Sequence, residues 1–170
     1  MEKELTDGIN SQMNFEIYSA YIYLAMSSYL KNLGLNGCAN WMKVQAQEEM
    51  IHVDDFYDFL HDRGACPEFS AIDKPPVKWD SPLAAFEHAY QHEQIVSARI
   101  NDLVDMALKY RDHAANAFLQ KYVSEQIEEE ANVNDVVQQL RLVSKAPQGL
   151  FMVDRELGQR VFTPPQDKQA

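Results

Sequence analysis

Four long segments of this chain repeat apolar residues every three or four positions, and each segment carries a glutamate on its apolar stripe. This spacing predicts four amphipathic helices that pack around one core. The glutamates lie near the segment midpoints, at Glu16, Glu49, Glu93 and Glu129. An ionised carboxylate in an apolar core is strongly unfavourable unless a cation neutralises it. Because no Lys or Arg lies on these stripes, the sequence predicts metal ions in the core.

Glycine and proline residues divide the chain into its elements. Gly34 and Gly64 are expected to end the first two helices, and Ser81 followed by Pro82 is a typical start for the third. Pro147 and Gly149 are expected to end the fourth helix. The chain is expected to form a single domain, 1–170, with helices at about 6–33, 36–63, 82–110 and 113–144 (the bundle at 6–144), a short fifth helix at 150–158 and a flexible tail at 162–170.

The lengths of the connections predict the topology. Short connections after the first and third helices make those pairs antiparallel neighbours. The connection at 65–80 can reach about 50 Å, which exceeds the length of a helix of about 40 Å. It can therefore return along the bundle and leave the second and third helices parallel. The sequence thus predicts an all-α four-helix bundle with one long crossover and a short fifth helix.

Composition excludes several classes of partner. The chain has 26 acidic and 15 basic residues and a net charge of -11. No basic stripe could neutralise the phosphates of a nucleic acid or an anionic membrane, so we expect neither partner, whereas this charge attracts cations. No basic leader with an apolar run and no apolar stretch of about 18 residues is visible, which predicts a cytoplasmic protein. Cys38 and Cys66 are isolated and are expected to be free thiols.

The glutamates on the four stripes are expected to form one layer, because packed helices superimpose their midpoints. His52 follows Glu49 by three residues and lies on the same helix face, where it supplies a nitrogen ligand. Oxygen ligands with one nitrogen suit Fe(II) or Mn(II), and Zn(II) also binds such sites. The remaining histidines show no such register and are expected at the surface: His61, His88, His92 and His113.

A second group of acidic residues flanks this layer. Glu48 precedes Glu49, and Glu125 and Glu128 accompany Glu129 at helical spacing. Like charges at this spacing destabilise a helix unless they are compensated. Two interpretations remain open: a solvated acidic face, or a third cation site beside the first pair.

Five motifs identify the family that the sequence resembles. They are NFEIYS at 14–19, AQEEMIH at 46–52, YQHEQ at 90–94, YVSEQIEEE at 122–130 and GLFMVDREL at 149–157. Together they resemble the bacterial non-haem ferritins of the ferritin-like di-iron family, over about 5–157 of the chain. The resemblance implies a ferritin-like bundle that oxidises Fe(II) with dioxygen or hydrogen peroxide and stores ferric oxide mineral in a hollow homo-oligomeric shell of 24 subunits.

The resemblance also implies roles for individual residues. Glu16, Glu49 and His52 match the first iron site, and Glu49 matches the carboxylate that bridges two irons. Glu93 matches the second site, with Gln126 and Glu129 close to the metal. Tyr23 matches the tyrosine beside this ferroxidase centre. The third iron site of bacterial members is matched by Glu48, Glu125, Glu128 and Glu129.

One departure separates the chain from the bacterioferritins, which carry Glu-x-x-His twice. Asn132 stands where the second histidine would be, which favours a centre that passes iron onward over a stable di-iron cofactor. Met50 matches a methionine that binds haem in bacterioferritins, but similar non-haem ferritins also have it, so haem is kept only as an alternative. Two further alternatives are a rubrerythrin-like di-iron peroxidase, which lacks support from Cys-x-x-Cys pairs, and a metal-free, cytokine-like helical bundle.

Overall fold

The computed structural model describes residues 1–164, apart from the side chain of Pro147, and contains five helices and no strand in that range. The all-α fold with a short fifth helix is therefore confirmed. The last six residues of the predicted flexible tail lie outside the described residues. The helices are α1 (Lys3–Asn32), α2 (Asn36–Asp62), α3 (Pro82–Lys109), α4 (His113–Val143) and α5 (Pro147–Leu157).

The helix ends follow the local chemistry of the sequence. Gly34 (φ 80°) and Gly64 (φ 71°) adopt the left-handed conformation that ends α1 and α2. The Ser81 hydroxyl accepts the backbone N–H of Ala84 at 3.0 Å and caps α3. The predicted start of α5 is wrong by three residues. α4 already ends at Val143, and Pro147 begins α5, because the first helical turn does not need the N–H that proline lacks.

The long connection between α2 and α3 runs along α1. Asn14 accepts the backbone N–H of Ser70 at 2.8 Å near the start of this connection, and Tyr29 donates to the carbonyl of Trp79 at 2.7 Å near its end. The later residue of α1 contacts the later residue of the connection, so the two segments run in the same direction. The connection therefore returns from the end of α2 to the end of α1, and α3 starts there and runs parallel to α2.

The bundle core consists of two apolar clusters. One contains Met26, Trp41 and Phe86, and the other contains Ile9 and Phe56. Buried polar side chains lie where the two clusters meet along the helices or at their adjoining ends: Gln12, Glu16, Gln45, Glu49, His92, Glu93 and Gln126. No helix within residues 1–164 is both long and apolar enough to cross a bilayer.

Periodicity predicts an inward face of α4 made of Phe118, Tyr122, Glu125, Glu129, Asn132 and Val136. This predicted register is wrong in part. Gln126 is buried, whereas Glu125 and Glu129 are half-buried and Asn132 is exposed. Three of the four stripe glutamates are therefore fully buried, and α4 presents an amide at the corresponding depth. This phase buries Leu119, Val133 and Leu140. Val133 and Leu140 are better core residues than Asn132 and Gln139, which stand one position earlier.

Candidate metal centre

Two helices bring together a compact group of metal-ligating side chains. Glu16 on α1 and Glu49 and His52 on α2 each offer one ligand atom, and these atoms lie within 4.8 Å of one another. His52 Nδ1 lies 3.2 Å from Glu49 Oε2. Glu16 Oε1 accepts from the Gln12 amide at 2.7 Å, whereas its Oε2 is buried and has no hydrogen-bond partner among the described residues. A buried carboxylate oxygen without a partner is costly, and a cation would satisfy it.

Glu93 on α3 is the third buried carboxylate, 1% exposed. Tyr23 donates its hydroxyl hydrogen bond to Glu93 Oε1. Gln126 donates to Glu93 Oε2 at 3.1 Å and to its backbone carbonyl at 3.2 Å. Both carboxylate oxygens are thus held by neutral donors from α1 and α4, which fixes the side chain without neutralising a negative charge.

Burial and mutual repulsion raise the pKa values of these carboxyl groups. Burial, and then the nearby Glu49, raise the pKa of Glu16 to about 8. Burial, followed by repulsion from Glu93 and Glu129, raises the pKa of Glu49 well above its usual range. Burial likewise raises the pKa of Glu93 to about 7. The metal-free centre therefore holds protons near neutral pH, and divalent cations would displace them.

Glu129 and Glu48 lie at the edge of the centre. Gln45, fully buried on α2, donates to Glu129 Oε2 at 2.7 Å. Glu48 accepts from the guanidinium of Arg160 at 2.5 Å. Burial raises the pKa of Glu48, and Arg160 opposes that shift.

The other acidic residues of α4 differ in their surroundings. Glu125 is half-exposed, but its Oε2 atom is buried 3.7 Å from His52 Nε2 and has no hydrogen-bond partner within residues 1–164. Glu128 is exposed, and within the described chain its side chain forms no hydrogen bond or ion pair. The geometry thus places Glu125 against the first group of ligands, whereas the part assigned to Glu128 in a third site stays a prediction.

The expectation that His92 lies at the surface is wrong. His92 is 4% exposed, its Nε2 lies 2.8 Å from Ser19 Oγ, and its ring stacks on Phe15 with centroids 5.2 Å apart. Burial lowers the pKa of His92 to about 4, so its ring is neutral near pH 7. His88 is half-buried and accepts from the Trp79 indole, whereas His61 and His113 are exposed as expected.

Three residues that hold the candidate ligands in place are absent from the sequence predictions: Gln12, Arg99 and Arg160. Arg99 donates to Gln12 Oε1 at 2.7 Å, and Gln12 in turn donates to Glu16. Arg160 reaches the site from beyond α5. These polar residues lie outside the glutamate register or far along the chain, and the only available signal was their position beside the motifs.

The residues suit a divalent metal ion. Two buried carboxylates and one imidazole lie close together, and raised carboxyl pKa values accompany them, which together form a donor set that binds hard or borderline cations. Glu93 is buried nearby but is not part of this close group. Met50, the candidate ligand of the haem alternative, is 44% exposed. The chemistry available to this centre is thus the binding of cations by carboxylates.

A four-helix bundle with a long crossover and inward-facing carboxylates is the architecture of ferritin-like proteins. The model of the ferritin-like domain matches residues 6–143, and the chain belongs to this family. Family membership and the relatives described next support iron storage, and the cluster of Glu16, Glu49 and His52 is compatible with a di-iron site.

Within this family the chain is similar to bacterial non-haem ferritins. It is 39% identical over 160 residues to the protein of Bacteroides fragilis, covering 94% of this chain and 99% of the relative. It is 35% identical over 157 residues to the protein of Escherichia coli O157:H7, covering 92% and 95%. Among solved structures, the open-pore ferritin of the hyperthermophilic archaeon Archaeoglobus fulgidus has a TM-score of 0.93 at 47% identity, covering 95% and 99%.

Proposed function

We propose that this protein oxidises Fe(II) to Fe(III) at a two-iron ferroxidase centre within the bundle and stores the product as ferric oxide. The observation that carries the proposal is the buried group of Glu16, Glu49 and His52, in which Glu16 Oε2 has no partner. Iron is the substrate and cargo of this reaction. The raised pKa values of the carboxyl groups mean that iron entry is coupled to proton release.

Each residue has a role in this proposal. Glu16 and His52 bind the first iron, Glu49 bridges the two irons, and Glu93 binds the second. Glu129 and Gln126 complete the surroundings of the second iron, where the Gln126 amide holds Glu93 in place. Tyr23, hydrogen-bonded to Glu93, fixes that carboxylate from the opposite side.

The electron balance is simple. Each of two Fe(II) ions loses one electron, and dioxygen takes up two electrons and two protons to form hydrogen peroxide. With hydrogen peroxide as the oxidant, two further electrons and two protons yield water. Closely spaced irons deliver both electrons to one oxidant molecule, which a bridging Glu49 makes possible.

A third cation site beside the pair would pass iron onward. Glu48 and Glu129 support it by their position at the edge of the centre, and Glu125 by its unpartnered oxygen. Glu128 is included on the motif resemblance alone. We further propose that the chain forms a 24-subunit shell in the cytoplasm, with no nucleic acid or membrane partner.

Replacing Glu49 with Ala tests this function. The variant should lose nearly all rapid oxygen consumption on addition of about two Fe(II) per subunit, because both irons lose a ligand and their link. The shell should still form by size-exclusion chromatography. A matched control is Glu156→Ala, which removes an exposed carboxylate from α5 and should leave the rate unchanged. A near-wild-type initial rate in the Glu49 variant would mean that this cluster is not the oxidation site.

A further inference from the structure

Arg160, three residues beyond α5, reaches into the metal centre of the same chain. Its Nη1 donates to Gln45 Oε1 at 2.8 Å and its Nη2 donates to Glu48 Oε2 at 2.5 Å. The guanidinium carbon lies 4.4 Å from the centroid of the Trp41 ring. The side chain is only 22% exposed, so its position is defined on several sides by α2.

The backbone that carries Arg160 is fixed to the start of α2 by separate contacts. Gly37 allows close approach, since a Cβ atom there would lie 1.5 Å from the carbonyl oxygen of Asp154. Asp154 Oδ1 accepts the backbone N–H of Cys38 at 2.8 Å, and Asn40 donates to the carbonyl of Arg160 at 2.9 Å. The backbone of Arg160 therefore stays beside α2 even if the contact between its guanidinium and Glu48 is lost.

Arg160 also determines the orientation of Gln45. Because the guanidinium occupies Gln45 Oε1, the amide nitrogen of Gln45 faces α4 and donates to Glu129 Oε2 at 2.7 Å. One cation thereby fixes two carboxylates of the candidate third site, Glu48 directly and Glu129 through Gln45. A guanidinium does not lose its charge at any relevant pH, so this effect is permanent.

We propose that Arg160 is a positioning residue that occupies the third cation site as a resident counter-charge and competes with the third metal ion for Glu48. This inference rests on the proposed iron function, because it concerns the third site of that centre. A third ion must displace Nη2 from Glu48 and bind beside a positive charge. The third site is therefore weaker than the first two, which suits an ion in transit rather than a resident one.

Zinc titration of the metal-free protein by calorimetry tests the competition. In Arg160→Gln the third Zn(II) per subunit should bind at least about tenfold more tightly, because a nearby positive charge is gone. Arg160→Lys keeps the charge but cannot contact Gln45 and Glu48 at the same time through a planar guanidinium. Its affinity for the third Zn(II) should lie between those of Arg160→Gln and wild type. The first two affinities should not change. Arg155→Gln, which removes an exposed charge from α5, is the matched control and should resemble wild type.

If Arg160→Gln binds the third Zn(II) with unchanged or weaker affinity, the proposal is overturned. Crystals of the wild-type protein provide a second measurement that does not depend on a variant. With excess Zn(II), an ion at Glu48 should be accompanied by separation of Arg160 Nη2 from Glu48 Oε2, which are 2.5 Å apart here. An ion at Glu48 with this contact intact, or no ion there even in Arg160→Gln, contradicts the competition. If the wild-type protein binds no Zn(II) tightly, that result would instead contradict the two-iron centre itself.

Discussion

At the scale of single residues, the charge state of Glu16 links stability to the metal site. Its pKa is raised from 4.5 to about 8 in the folded protein, so the folded state binds this proton more tightly than the unfolded chain does. The resulting stabilisation is complete below about pH 4.5 and is lost as pH rises towards 8. Above that range the metal-free protein holds an unfavourable buried charge.

Glu16→Gln should therefore stabilise the metal-free protein in a pH-dependent manner. Its Tm in the presence of a chelator should exceed that of wild type by roughly 3–10 °C at pH 8 and by little at pH 5. The glutamine retains an oxygen for the Gln12 amide, so the known hydrogen bond survives. Calorimetry of matched assembled shells measures this difference.

Glu156→Gln is the corresponding exposed control and should show no such pH-dependent gain. A lower Tm for Glu16→Gln at both pH values would show that the Glu16 carboxylate is a structural hydrogen-bond partner. In that case repulsion among the buried carboxyl groups would not be the main influence of this centre on the stability of the metal-free protein.

At the scale of helices, Asp112 joins two elements. It caps α4 by accepting the backbone N–H of Ala115 at 3.0 Å and pairs with Arg63 at the end of α2 through two hydrogen bonds of 2.9 and 2.7 Å. The Arg63 guanidinium lowers the pKa of Asp112 to about 2. This lowered pKa adds stability that is present above about pH 3.8 and is lost as pH falls through 2.

Asp112→Ala should lower the stability by about 1–2 kcal/mol, since both the cap and the ion pair disappear. Asp112→Asn keeps a capping oxygen but loses the charge and should fall between the alanine variant and wild type. Unfolding in denaturant at pH 7 measures the order of stability of wild type, Asp112→Asn and Asp112→Ala. If the alanine variant unfolds at the wild-type denaturant concentration, the junction does not contribute to stability.

The register of α4 shows what helical periodicity can and cannot predict. Spacing alone predicts Tyr122, Glu129 and Val136 on the inward face, and in the structure Tyr122 and Val136 are buried and Glu129 is half-buried. The same spacing predicts Glu125 on the inward face, one position before the residue that the structure buries, because Glu125 and Gln126 are both polar and periodicity does not distinguish them. The burial of Gln126 follows from its hydrogen bonds to Glu93 on another helix, and no pattern within α4 contains that partner.

At the scale of the whole molecule, length and spacing were sufficient for the architecture. A 16-residue connection and three short ones defined a bundle with one crossover, and the midpoint glutamates predicted where the polar residues would lie in the core. Contacts between distant parts of the chain were not predictable in the same way. Arg160 meets Glu48 across 112 positions, and neither residue lies on an apolar stripe that would point to the other.

The central claim is that the chain binds two iron ions between its buried carboxylates. The most direct measurement is anomalous diffraction at the iron edge from crystals soaked anaerobically in Fe(II). We expect two strong peaks per subunit, one contacting Glu16, Glu49 and His52 and the other contacting Glu49 and Glu93. In His52→Ala the first peak should weaken while the second remains. Absence of both peaks from the bundle interior, with iron found only at surface carboxylates, would contradict the account.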